Sequence, residues 1–518
     1  MILLAGAVVL TMILFSGDQP VAAAPPAGEV KTASQEIGNG VPIPYIERSH
    51  AINWMGLIYD SLVGCNPETG KLSPDLGLAT NWKMSPDGLT WTFYLRKGVK
   101  FHDGVELTAK DVKFSLDQIM GPDSLENTII KETLKSVAVQ DPYTVVVYSK
   151  KPCITMADNL SILMGLGGMI VPKDYYERLG KDGFAKRPIG SGPYKWHSQV
   201  VGSSIKLEAT DKHWRDGVPR YKYVTYLVIS EEATRLAMLK TGEADIARIS
   251  RGSVKEAQSS GLNVLTKEDA AAFQFQANMQ WTSPVFSDIR FRKALNLAID
   301  KKAIIEHLLG GLAKLAAFFP GTHMAAFEPD LLKLTPYPYD PQEARRLIKE
   351  GGWEGYEFTL ISMPRAGLSE YPQIVEAVAG YWQKIGLNPK IRMTEWASYR
   401  KQYADRKTQN IIHGTDSAMS PDVLALLERI EDRWDFSKPR STVNIPELNE
   451  RFERIGKSLD IAEITKLLAE ICRYAYDNYL VIPMCDLPDM IAATKRIPKW
   501  NPGLLRNDMN YNGLIRQR

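Results

Sequence analysis

The sequence predicts an α/β chain folded as more than one domain, and three observations carry that reading. Its 518 residues exceed what one hydrophobic core ordinarily organises. Tyr356–Ile361 and Pro389–Met393 read as strands flanking a helix from about Pro372 to Ile385, the spacing of a βαβ unit. Upstream, Leu89, Trp91, Phe93 and Leu95 alternate with Thr90, Thr92, Tyr94 and Arg96, the period of a half-buried strand.

The remaining elements follow in chain order. Ile37–Tyr45 (IGNGVPIPY) is interrupted by two glycines and two prolines, so it is irregular. Ser85-Pro86-Asp87-Gly88 and His102-Asp103-Gly104 are turns. Thr108, with Asp111 three positions on, opens a helix that places Val112, Leu116 and Ile119 on one face. Thr144–Tyr148 is a strand by β-branching. Pro188–Tyr194 is glycine-rich but lacks the Lys-Ser/Thr of a phosphate cradle, so it reads as a tight connection. Gly242 stops a helix over Arg235–Lys240, and Glu243–Ile246 returns as a strand. Ala271–Ala277 reads as a strand crossing into a second lobe. Asp288, Asp300 and Asp340 start helices, the last with Pro341 at its first turn. Ile411-Ile412 ends a short strand, and His413–Ser420 is expected to be a loop. Helices over 447–459 and 462–475 precede a return strand at Tyr479–Pro483.

Composition narrows the function. Apolar content of 44% and charged content of 24% suit a soluble globular protein. With 63 basic and 60 acidic residues the net charge is only +3, which calls for no polyanionic partner, and no nucleic-acid module is expected. Ile2–Phe15 is an apolar run too short to span a bilayer comfortably; with Gly17 and Ala22–Ala24 it reads as a secretory signal peptide. It lacks a basic leading region, which points to a true start upstream. No cysteine precedes Cys65, which argues against a lipid anchor. Cys65, Cys153, Cys472 and Cys485 suit an oxidising compartment, and their order favours Cys65–Cys153 and Cys472–Cys485 if bridges form. No spacing suggests a metal site, and no cofactor is expected.

The run Leu78–Leu116, LATNWKMSPDGLTWTFYLRKGVKFHDGVELTAKDVKFSL, closely resembles the signature of the family-5 extracellular solute-binding proteins, the peptide- and nickel-type receptors of bacterial ABC importers. Pro188–Tyr194, Glu243–Ile246 and Asp288–Asp300 resemble further segments of that family. The resemblance implies a two-lobed periplasmic-binding-protein fold with an inserted subdomain in the first lobe. Residues 1–23 would be the signal peptide, 24–55 and 187–270 the first lobe, 56–186 its insert, 271–485 the second lobe and 486–518 the return. It further implies a monomeric, non-enzymatic periplasmic receptor that captures a peptide or comparable small solute and delivers it to ABC permease subunits. A receptor for a nickel chelate, opine or oligosaccharide stays open. So does a secreted hydrolase on the same shell, although no nucleophile motif or acid/base pair stands out.

The same resemblance suggests where ligand binds. In peptide-binding members an Asp after a late second-lobe strand takes the ligand amine, in a WxxD-type motif ahead of Asp-Pro-Asp. Aligned here on Pro421-Asp422, the tryptophan falls on Gly414 and the acid on Ser417, with Asp416 one place away. Arg365 resembles the arginine that pairs with the ligand carboxylate in dipeptide-type members, and a guanidinium offers a bidentate fork for it. Trp281 and Trp434 are candidate aromatic walls, each with packing inside its own lobe as the alternative. Tyr45 ends the first-lobe segment Ile37–Tyr45, which lacks the family's Asp-Pro step. His102-Asp103 reads as a structural turn rather than a catalytic or metal pair.

Overall fold

The computed structural model describes residues 25–47, 51–125, 128–215, 219–278, 280–319, 321, 328–363, 365, 367–418, 423–497 and 499–502, without the side chains at 128–129, 268–270, 396–397, 416–418, 424–425 and 428. The signal-peptide reading of residues 1–23 thus falls outside the described residues. Among those described, the first eight strands are β1 (Glu29–Ser34), β2 (Ala79–Met84), β3 (Thr90–Leu95), β4 (Leu134–Asp141), β5 (Thr144–Ser149), β6 (Tyr194–Val200), β7 (Ser204–Ala209) and β8 (Tyr223–Val228). They are followed by β9 (Ile246–Ile249), β10 (Asn263–Ala277), β11 (Lys314–Leu315), β12 (Glu357–Ser362), β13 (Asn388–Met393), β14 (Ile411–Ala418) and β15 (Ile482–Ala493).

One sheet runs β13-β12-β14-β10-β15-β9-β1-β8-β7-β6, with β11 beside β15. Its register shows two lobes. Asn263–Lys267 of β10 pair with Ala493–Asp489 of β15, whose other neighbour there is β9. Ala271–Phe275 of β10 pair with Leu487–Ile482, and β14 lies along Ala271–Ala277. Between Lys267 and Ala271 the register shifts. The sheet of one lobe therefore continues into the other only along two strands, which break step where they cross. Such irregularities re-aim a strand and concentrate bending.

β2-β3-β5-β4 form a second sheet. Trp91, Phe93 and Leu95 point to its buried face, as the alternation predicts. This inserted layer shares one hydrophobic core with the first lobe, since Phe93 and Val145 belong to the same buried cluster as Trp54, Tyr59 and Val224. Local signals also hold elsewhere. Thr108 and Asp111 form a capping box on the helix Ala109–Met120. The side chains of Asp288, Asp300 and Asp340 accept from Arg290, Ala303 and Glu343 amides at the starts of their helices. β12, the helix Tyr371–Lys384 and parallel β13 form the expected βαβ unit.

Two expectations are corrected. The segment from His413 to Ala418 is strand, because β10 pairs with it along its length. The crossing strand begins at Asn263 rather than Ala271, because its first half pairs with β15. All four cysteines are free and buried.

The first lobe also buries a charge cluster. Asp60, 3% exposed, accepts from Ser191 Oγ (2.9 Å), Trp214 Nε1 (2.7 Å) and Arg215 Nη2 (2.9 Å), with His213 Nε2 at 3.3 Å.

Candidate ligand-binding site

β12, β13 and β14 run parallel and end on the side where β10 departs for the first lobe. Ala418 pairs with Ala271, and Ile361 lies beside His413, so the carboxyl ends of β12 and β14, at Ser362 and Ala418, border the space between lobes. Ligands of open parallel sheets bind at such carboxyl ends. In the first lobe, Ile249 of β9 pairs with Met490 near the crossing, and β1 and β8 run parallel to β9. The segment after Ser34, which contains Ile37–Tyr45, therefore borders the same space.

At the second-lobe rim the Arg365 guanidinium donates from Nη1 to Gly414 O at 2.6 Å and stands 5.3 Å from the centre of the Tyr371 ring. Tyr371 is fully buried. Its hydroxyl donates to Ile361 O and accepts from the Gly414 N–H, both at 2.8 Å. One phenol thereby joins β12 to β14 and floors the guanidinium. A Cβ at Gly414 would overlap that ring, with the hydroxyl oxygen 2.8 Å away. This packing leaves no room for a side chain at position 414. Gly414→Ala is expected to destabilise the protein by about 1–3 kcal/mol through overpacking. Urea denaturation measures this, and an unchanged midpoint with unchanged slope would refute the contact.

Arg433 reaches the next residue. Its Nη2 donates to Thr415 Oγ1 (3.1 Å) and its Nη1 to Gln276 Oε1 (3.0 Å). Gln276 Nε2 in turn donates to Thr442 Oγ1 (2.9 Å). His413 is buried between the rings of Tyr399 and Tyr403 at 5.4 and 5.1 Å. Burial, with Arg433 and Arg365 nearby, pushes its pKa down to about 3, so the imidazole is neutral near pH 7. Two guanidiniums thus converge on Gly414–Thr415.

Asp416 and Ser417 follow on β14, in register with Phe273 and Ala272. Their side chains lie outside the described residues. The other candidates do not join Arg365 and Gly414. Trp281 lies past Ala277, at the opposite end of β14 from the rim. From Phe273 to Asn278 alone the strand extends roughly 17 Å. There its ring meets Phe436 edge-on at 5.1 Å under the Arg406 guanidinium. Trp434 is fully buried, edge-on to Phe319 at 5.3 Å. Tyr45 is buried in the first lobe with its hydroxyl bonded to that of Tyr176.

The irregular first-lobe segment is held by side chains in place of secondary structure. The buried Glu47 carboxylate accepts from the Asn39 and Val41 amides, both at 2.7 Å. Trp54 Nε1 donates to Ile37 O (2.9 Å), and the Tyr59 hydroxyl donates to Pro42 O (2.7 Å). Sequence reasoning missed Tyr371, Arg433 and Glu47. Tyr371 carried one usable signal, its place in the first helical turn after a strand-end loop. Among the described residues no three His, Cys, Asp or Glu side chains gather as a metal site.

Two sheet-based lobes joined by a pair of crossing strands, with strand ends of both lobes bordering the space between, are the architecture of the solute-binding proteins of the periplasmic type. The chain belongs to a specific family of these: residues 73–434 match the model described as bacterial extracellular solute-binding proteins, family 5 Middle. It is 31% identical over 317 residues to the glutathione-binding protein GsiB of Salmonella paratyphi A, covering 61% of this chain and 60% of that protein. The match thus spans less than two thirds of that relative's length. It is 29% identical over 392 residues to the dipeptide-binding protein of Escherichia coli, covering 69% of this chain and 70% of the relative. Among solved structures, NikA from Brucella suis in complex with Fe(III)-EDTA superposes with a TM-score of 0.80 at 21% identity, covering 94% of this chain and 100% of that one.

Proposed function

We propose that the protein is the periplasmic receptor of an ABC importer, a monomer that captures a peptide between its lobes and hands it to the membrane permease. The observation that supports the ligand class is the Arg365 guanidinium, seated on Tyr371 and Gly414 O, which suits a ligand carboxylate. Asp416, two residues further along the β14 backbone, is proposed from the sequence alone as the partner of a ligand ammonium. Relatives named for glutathione and for dipeptides, both zwitterionic, support the same choice. The receptor reading, rather than that of a catalyst, rests on the family and the two-lobed fold.

Mass spectrometry of ligand released from natively purified protein tests this reading. A short peptide is the expected finding, and a neutral sugar would overturn it. Export is tested separately by sequencing the N-terminus of the protein in periplasmic extract. A start near Ala24 is expected, and an intact Met1 there would rule out cleavage at that place.

A further inference from the structure

Among the described residues the lobes meet not only along the crossing strands but also where the insert's Gly88 and Ile154 approach the second lobe, and at Arg251, whose contacts lead directly to the ligand rim. Arg251 opens a short turn, Arg251–Ser253, just after β9. That turn is fixed within its own lobe: Glu232 Oε1 accepts from the Ser250 amide (2.9 Å), Ser250 Oγ (2.7 Å) and Ser253 Oγ (2.6 Å). The buried guanidinium then leaves the lobe. Its Nη2 donates to Pro488 O on β15 at 2.8 Å, beside the register shift. Its Nη1 donates to Gly367 O at 3.2 Å and stands 3.5 Å from Glu370 Oε2. Gly367 and Glu370 belong to the second-lobe segment that carries Arg365, and Glu370 immediately precedes Tyr371, the ring beneath that arginine. Beside it, Arg248 pairs with Asp489 of β15 at 2.8 Å, and its Nη1 would stand 3.5 Å from a Cβ at Gly367.

We propose that Arg251 is a positioning residue that couples lobe closure to the segment reading the ligand. It touches neither of the groups assigned to ligand. With the lobes together, its fork satisfies acceptors on the crossing strand and on the Arg365 segment at once, and so holds Gly367 and Glu370 in the arrangement that seats Arg365 on Tyr371. When the lobes swing apart about the crossing strands, the contacts to Gly367 and Glu370 break while the one to Pro488 stays near the pivot. A lysine ammonium, a point charge without the planar fork, cannot span the same acceptors.

The test reads the distance between lobes in ligand-free protein. Val201 of the first lobe and Met393 of the second are 86% and 61% exposed, so Val201→Cys with Met393→Cys accepts a fluorophore pair, while the native thiols are all buried. Arg251→Ala and Glu370→Gln should each lengthen the interlobe distance, their combination should add nothing further, and Arg251→Lys should fall between. Should Arg251→Ala fail to fold, Glu370→Gln and Arg251→Lys carry the same comparison. A distance distribution unchanged from the parent would overturn the coupling, and a lowered melting temperature with that unchanged distribution would mark Arg251 as merely structural. A second arm rests on the peptide-receptor reading and uses Ala-Phe and its C-terminal amide as probes. Arg251→Ala should lose about tenfold or more of the preference for the free carboxylate, and an undiminished preference would overturn the positioning role. If the parent protein binds neither probe, the peptide reading falls for these probes, while the distance arm still decides the coupling.

Discussion

Arg365→Ala and Asp416→Asn should each weaken peptide binding by on the order of 2–5 kcal/mol, the range for truncating one partner of a desolvated, hydrogen-bonded charge pair. That is roughly thirty-fold to several-thousand-fold in dissociation constant. The magnitude reflects a closing cleft that strips water from the ligand termini, where an unpaired charge is costly. Folding stability without ligand should change far less for Arg365→Ala. That residue is only half-buried, and its bond to Gly414 O contributes about 1 kcal/mol at most in a wet rim. Calorimetric titration with the peptide that co-purifies measures both variants. If neither loses affinity, the charge-pair assignment fails although the family and fold stand.

The second large effect concerns folding. Asp60→Asn should cost about 3–5 kcal/mol, because it leaves the Arg215 guanidinium buried without its counter-charge. Burial alone would raise the pKa of Asp60, but Arg215 and His213 outweigh it and hold the carboxyl well below the usual carboxylate range. A carboxylate depressed in the folded state contributes stability above its unfolded value of about 4, and that stability is lost as pH falls through and below it.

Two histidines act earlier in an acid titration. Burial pushes His102 down to about 4 and His413 down to about 3, so below about pH 6.5 the unfolded chain binds protons that the folded chain refuses. Each should remove about 1.4 kcal/mol of stability per pH unit from there down to its folded value. Urea midpoints should therefore begin to fall near pH 6 in both the parent and Asp60→Asn, while the further loss below about pH 4, to which other depressed carboxylates such as Asp489 also contribute, should be smaller in the variant. A parent midpoint that stays flat between about pH 6 and pH 4 would refute the histidine assignment.

What the sequence disclosed divides along a physical line. Thr108, Asp288, Asp300 and Asp340 were legible as helix starts because capping is settled within one turn of chain. The βαβ unit was legible because hydrophobic period and length decide it locally. His413–Ala418 was not, since HGTDSA has the composition of a loop and becomes strand only when β10 supplies the partner ladder. The rim shows the same limit. Arg365 and Gly414 stood out from the family pattern, but the reason for glycine at 414 is a tyrosine 43 positions upstream. Trp281 and Trp434 were candidate walls by residue type alone; the place of Trp281 depends on which end of a strand faces the cleft, and that of Trp434 on how its helix packs against Phe319. No local pattern encodes that.

The order in which the sheet is wired sets the tempo of folding. β9 lies between β1 and β15, so the first-lobe sheet cannot close until residue 493 has been made, long after its own residues near 29 and 249. At ordinary synthesis rates of about 5–20 residues per second, that leaves a gap on the order of ten to fifty seconds in which the early lobe lacks a strand. Pairings this distant in sequence also make the closing step itself slow. A chain wired in this way completes the first-lobe sheet only near the end of its synthesis, although the insert sheet and the βαβ unit, whose strands are close in sequence, are complete much earlier.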